Sequence, residues 1–239
     1  MIEHDPDAEL QVLDVDLERR HLLFLVKGRN NKARFLCGHD ERHWFVAAIP
    51  ESEPVKTVTE AFEALKPDEV RLVERHLRSD AKARRRNPKR FRQGEWFFIP
   101  APNFTPPKGI PILKNEPLGR ISNGRWFGRP HQMAEAVRFG GERVWVPTLG
   151  AIEDYPGGRT SLSRRVGTGL TDLERDVFLR DYKKGTTWRW ESYVRNPEIY
   201  VRGTVRHPHH ATLRLPFWHK AVQNTELQAR AMVDVAFVD

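Results

Sequence analysis

The sequence predicts an α+β protein: a small antiparallel meander with two helices over residues 1–87, then a mainly β region over 88–239 with a partly helical insertion near 148–198. Three observations predict it. Short runs rich in β-branched and aromatic residues recur between glycine and proline punctuation. Apolar residues at helical spacing appear in only a few stretches. A composition shift at Lys82–Arg92, seven basic residues in eleven around Pro88, separates the two regions. A chain of 239 residues is long enough to bury a core without disulfides, and its single cysteine, Cys37, excludes an internal one.

Taken in order, residues 1–19 are acidic, and His21-Leu22-Leu23-Phe24-Leu25-Val26 reads as a buried strand. Gly28-Arg29-Asn30-Asn31-Lys32 supplies a turn, and Ala33–Cys37 and His43–Ile49 complete the meander. A helix follows, capped by Thr57 or Thr59 and running through Ala61, Phe62 and Leu65. Pro67-Asp68-Glu69 opens a second, whose stripe Val70, Val73, Leu77 and Ala81 keeps spacings of three and four. Pro88 ends any continuous helix.

The second region begins with a strand, Gln93–Pro100, and a proline-rich loop, Ala101–Pro111. Short strands follow, the clearest being Arg143–Pro147 and Ile199–Arg206. The latter puts Tyr200, Arg202, Thr204 and Arg206 on one face, opposite Ile199, Val201, Gly203 and Val205. Within the insertion lie a glycine-rich loop, Tyr155–Arg159, and a basic turn, Ser163–Gly169. A helix capped by Thr171 or Asp172 follows, with Leu173, Val177 and Leu179 as its apolar face.

The candidate chemistry is concentrated late in the chain. Four of the ten histidines, His207, His209, His210 and His219, fall within thirteen residues. Imidazole is the commonest metal ligand and titrates near neutral pH. Pro208 fixes a turn between the strand ending at Val205 and the strand Thr212–Pro216, so that His207 and His210 stand on the two sides of one loop and can face one ion. His219 lies one strand further on and is an alternative or additional ligand for the same ion. His131, in Gly128-Arg129-Pro130-His131, completes a three-histidine set that leaves a position open for water. A divalent metal there, such as zinc, lowers the pKa of bound water to about 7 and makes hydroxide at neutral pH. Glu135, Glu226 or Asp154 would serve as fourth ligand or general base, with Glu135 the first choice. Arg206, with Arg202 or Arg214 as alternatives, would hold an anionic substrate through its planar fork. The competing reading has these histidines decorating an exposed hairpin tip.

The order Arg92-Gln93-Gly94-Glu95-Trp96-Phe97-Phe98-Ile99-Pro100, then His131, then His207-Pro208-His209-His210 with Thr212-Leu213-Arg214-Leu215-Pro216 resembles a group of small, uncharacterised β-rich bacterial and phage proteins. Those proteins carry an Arg-Gln-Gly-Asp strand start, a Gly-His-x-His segment and a His-x-x-His-x-x-x-x-Leu-Pro segment. The resemblance covers residues 92–147 and 199–224. It implies that His207 and His210, rather than His209, are the recurring histidines, and it implies no activity. The chain departs from the pattern at Glu95, at Arg129-Pro130-His131 and in residues 148–198.

A net charge of +8 and a pI near 9.8 point to an anionic partner, RNA or DNA. The expected contacts are Lys82, Arg84, Arg85, Arg86, Lys89, Arg90 and Arg92, with Lys183, Lys184, Trp188 and Arg189 as a second basic and aromatic stretch. Phosphates would neutralise the cations while aromatic faces stack bases. The alternative is that the aromatic residues belong to the core and their basic neighbours are solvated. Cys37-Gly38-His39-Asp40-Glu41-Arg42-His43 offers soft donors but reads better as a hairpin connection, with Cys37 inert at the end of an apolar strand.

No phosphate-cradling glycine loop, Gly-x-Ser-x-Gly elbow or His-Glu-x-x-His helix is present. No cationic-then-apolar leader opens the sequence, and no apolar run approaches the ~18 residues of a membrane span. A cytoplasmic, nucleic-acid-associated protein is therefore expected, with a histidine-centred metal site whose chemistry would be phosphoester hydrolysis. The alternative is a noncatalytic binding or structural module with protein partners in a larger assembly.

Overall fold

The computed structural model describes residues 8–28, 32–41, 43–122, 125–148, 155–166 and 169–228. It is α+β with antiparallel sheets, and it divides into two compact units, residues 1–104 with 201–239 and residues 105–200.

In the first unit, β1 (Glu9–Asp16), β2 (His21–Lys27), β3 (Lys32–Asp40) and β4 (His43–Ile49) pair in sequence order. The strand β1 was not expected, because its acidic residues hid the alternation of Leu10 and Val12 with Glu9 and Gln11. One face of this sheet is the core: Leu23, Leu36, Ala47 and Ile49 pack on Val55, Val58, Ala61, Ala64 and Leu65. The strand period of two delivers the first set, and the helix α1 (Val58–Ala64) delivers most of the second. Thr57 caps α1 in a reciprocal capping box with Glu60, and Asp14 of β1 accepts the Val58 N–H at 2.7 Å.

His21 lies inside this unit against Phe62 and Phe45, with ring centroids 5.0 and 5.5 Å away. Its ring crosses the backbone of Gly38, where any Cβ would collide with the imidazole. That close approach is why glycine stands there. Burial, reinforced by the nearby Arg92 charge, lowers the His21 pKa from 6.5 to about 4. The folded protein therefore keeps His21 neutral in a window where the unfolded chain takes up a proton. This contribution to stability is complete above pH 6.5 and declines as pH falls toward 4. Urea unfolding at pH 7 and pH 4.5 is expected to show a drop that is smaller in His21→Phe, whereas equal drops in both proteins would contradict the assignment.

The second helix is shorter than its apolar stripe suggested. α2 (Asp68–Glu74) starts after Pro67 and stops before Leu77, and α3 (Ser79–Ala83) is a separate turn. The basic stretch that follows is no linker but a hairpin of β5 (Arg86–Asn87) and β6 (Arg90–Gln93). It closes over a buried ion network. Glu74, fully buried, takes Lys66 Nζ at 2.7 Å on one oxygen and Arg90 Nε at 2.8 Å on the other. Asn87 Nδ2 donates to the same carboxylate, and Arg90 also donates to the carbonyls of Lys82, Arg84 and Arg85.

The run Gln93–Pro100 is likewise not one strand. Gly94, at φ 57°, turns β6 into β7 (Trp96–Pro100), with Gln93 facing Trp96 across the turn. β7 pairs with the long β13 (His210–Gln223), which continues far past the expected end at Pro216. β12 (Glu198–His207) precedes it, with Val201 and Val205 buried on one side as the alternation predicts.

In the second unit, β8 (Leu113–Ser122) and β9 (Arg125–Phe139) form a long antiparallel pair, where only short strands were expected. β10 (Glu142–Pro147) pairs with β11 (Trp190–Arg195). Among its described residues the insertion holds two α-helices rather than one. α4 (Gly158–Val166) absorbs the end of the glycine loop and most of the basic turn. α5 (Asp172–Asp181) carries the expected Thr171 cap, in a capping box with Glu174. Its core residue is Phe178, not Leu173 or Val177, which are exposed. Phe178 joins Leu162, Val166, Leu170 and Trp188 in one aromatic-rich cluster.

Candidate metal centre

The connection between β12 and β13 is the two-residue turn Pro208-His209, so His207 ends one strand and His210 begins the next. Their ring centroids stand 4.8 Å apart. His209 stacks on His43 at 3.9 Å and meets the His207 ring edge-on at 5.3 Å, while its N–H donates to His207 Nδ1 at 3.3 Å. His131 sits on β9 opposite Leu118 and is 1 % exposed. His131 belongs to the second unit, and His207 and His210 to the first. Burial, with the charges of His207 and Arg85 next in weight, lowers the His210 pKa to about 4. At neutral pH that imidazole is uncharged, the form that binds a metal.

Two carboxylates and two guanidiniums stand behind His210. The register Asp40 to His43 places Glu41 at the β3–β4 turn, at φ 54°. Its Oε2 accepts the Ala211 N–H at 2.6 Å and lies 3.6 Å from His210 Nδ1. Arg85 is ion-paired to both Asp40 and Glu41, and Arg92 reaches Asp40 at 3.3 Å. Burial pushes both guanidiniums down to about 10, and the carboxylates compensate their charge. Sequence reasoning treated Asp40 and Glu41 as turn residues only. The available signal was an acidic pair at a hairpin tip in a strongly basic protein.

Other expected members lie elsewhere. His219 is not one strand further on; it is on β13 itself, nine residues past His210, or about 30 Å of extended chain. It is fully buried, stacked on Phe217 at 4.8 Å with Nδ1 2.8 Å from the Phe217 carbonyl oxygen, and it is removed from the ligand set. Glu135 lies four residues along β9 from His131, about 13 Å at strand rise, beyond the reach of a base acting at His131. Arg206 is exposed and adjacent to His207, on the alternate side of β12. Glu226 is buried in the turn after β13, and Asp154 lies outside the described residues. Cys37 faces Leu22 and Val46 across the sheet, and burial raises its thiol to about 11, which leaves it inert at neutral pH.

The basic residues divide by burial. Arg90 is 2 % exposed inside the Glu74 network, and Arg85 and Arg92 are committed to Asp40 and Glu41, so these three are not free surface cations. Arg84, Arg86 and Lys89 are exposed and Lys82 is half-buried. Lys183, Lys184 and Arg189 are exposed on and beside a 3-10 turn, Lys183–Thr187. Trp188 is a core residue of the aromatic cluster, which corrects its expected role as a stacking platform.

The arrangement is thus an antiparallel α+β protein with a half-buried imidazole cluster backed by a charge-compensated hairpin tip. No family model, curated protein or solved structure matches the chain.

Proposed function

We propose that this protein binds one divalent metal, such as zinc, through His131, His207 and His210, and uses it to hydrolyse a phosphoester of a nucleic acid. The carrying observation is the pair His207 and His210, whose rings a two-residue turn sets 4.8 Å apart and of which His210 is held neutral by burial, with His131 as the third ligand expected from the sequence. Three imidazole ligands would leave a coordination position for water, and the metal would supply hydroxide at neutral pH. The exposed cations Arg84, Arg86 and Lys89 provide the sequence-independent attraction to a polyanion. No helix among the described residues is long and apolar enough to cross a membrane.

Hydrolysis of bis(p-nitrophenyl) phosphate and of a short single-stranded DNA tests the reading. Activity should vanish with chelator, return with zinc or manganese, and fail to return in His207→Ala. A protein that holds metal but cleaves neither substrate would remove the hydrolase part. A noncatalytic nucleic-acid-binding module is the second reading, favoured by the exposed Lys183, Lys184 and Arg189 beside a rigid aromatic cluster. For either reading, charge reversal at Arg84 and Arg86 should weaken binding alike for all sequences and flatten its salt dependence by roughly one unit of log–log slope per lost phosphate contact. An unchanged slope would count against both.

A further inference from the structure

We propose that Glu41 is the positioning carboxylate of the metal centre, which fixes His210 from behind and is itself fixed by Arg85. The inference rests on the metal reading above and adds a residue from a different hairpin to it. Histidines that bind metals almost always give their second ring nitrogen to a carboxylate, carbonyl or water, which sets the tautomer and the ring orientation. His210 has a carboxylate in that place: Glu41 Oε2 lies 3.6 Å from its Nδ1. A shift of a few tenths of an ångström makes this a hydrogen bond, with Nδ1–H as donor.

Glu41 is not an incidental neighbour. The same Oε2 accepts the N–H of Ala211, the residue after His210, so the carboxylate grips both the side chain and the backbone of the start of β13. Its other oxygen is ion-paired to Arg85, which also pairs with Asp40. The positive φ of Glu41 aims the side chain from the tip of the β3–β4 hairpin. With Nδ1 occupied in this way, Nε2 is the ligand atom of His210. The carboxylate's charge then does two things: it raises the basicity of the imidazole toward the metal, and it offsets part of the ion's charge.

The test uses the full chain and zinc alone, measured by competition with a chromophoric chelator, together with the visible spectrum of the cobalt-substituted protein. Glu41→Gln keeps the shape and an acceptor for Ala211 but loses the charge. It should weaken zinc binding 10- to 100-fold with little change in melting temperature, and should shift the cobalt absorption bands, while Glu41→Asp should recover part of the affinity. If Glu41→Gln proves unstable, Arg85→Met reads the same linkage, with a smaller loss of affinity expected. Wild-type affinity and an unshifted cobalt spectrum in Glu41→Gln would overturn the role of Glu41 and leave the metal site standing. No zinc binding by the wild-type protein would overturn the metal site, and this role with it.

Discussion

Replacing Glu74 by Ala is expected to destabilise the first unit by about 3–5 kcal/mol, a large part of the 5–15 kcal/mol that holds a typical domain together. The carboxylate is fully buried and is the shared counter-charge of Lys66 and Arg90, themselves 3 % and 2 % exposed. Its removal leaves two cations in a low dielectric and leaves Asn87 Nδ2 only the longer bond to the Ala81 carbonyl. Glu63 still reaches Lys66 at 2.5 Å, but among the described residues no carboxylate other than Glu74 pairs with Arg90 Nε. Urea unfolding at pH 7 checks the result, and a loss below about 1 kcal/mol would contradict the buried-network account. Joint replacement of Glu74, Lys66 and Arg90 by apolar residues of similar size should cost much less, because the penalty lies in breaking the set.

The second large effect concerns the histidines. His207→Ala and His210→Ala should each lower zinc affinity by at least 100-fold, and His131→Ala should do the same, since three ligands are the minimum that holds the ion while leaving water bound. His219→Ala should leave affinity unchanged and lower stability instead, because its ring is fully buried, stacked on Phe217 and edge-on to Phe91. His209→Ala is a second control, since that ring stacks on His43 and meets His207 only by its edge. Isothermal titration of zinc into each variant separates the two classes, and equal losses at His219 and His207 would contradict the assigned geometry.

The sequence spoke most clearly where one local rule sufficed. Alternation located β2, β4 and β12 to within a residue or two, Thr57 and Thr171 announced their helices, and Pro208 marked the turn that sets His207 against His210. It misled where two rules competed. The stripe Val70, Val73, Leu77 and Ala81 continues a helical period, yet the chain breaks after Glu74 so that this carboxylate can enter the core with Arg90. A basic run looked like a solvated boundary because the acids that neutralise Arg85, Arg90 and Arg92 lie 16 to 52 residues away in sequence. The same distance hid Glu41 from the site: it is 170 residues from the backbone amide it binds. His131 and His219 were chosen by residue type, and only the folded strand β13 shows that His219 stands nine residues past His210 on the same strand.

Metal content bears most directly on the central claim. Protein purified without a histidine tag and without added metal should carry about one equivalent of zinc or another first-row divalent ion by mass spectrometry, falling to background in His131→Ala, His207→Ala and His210→Ala but not in His219→Ala. Less than about a tenth of an equivalent, with no uptake on zinc addition and folding unchanged in the three variants, would contradict a metal centre at this cluster.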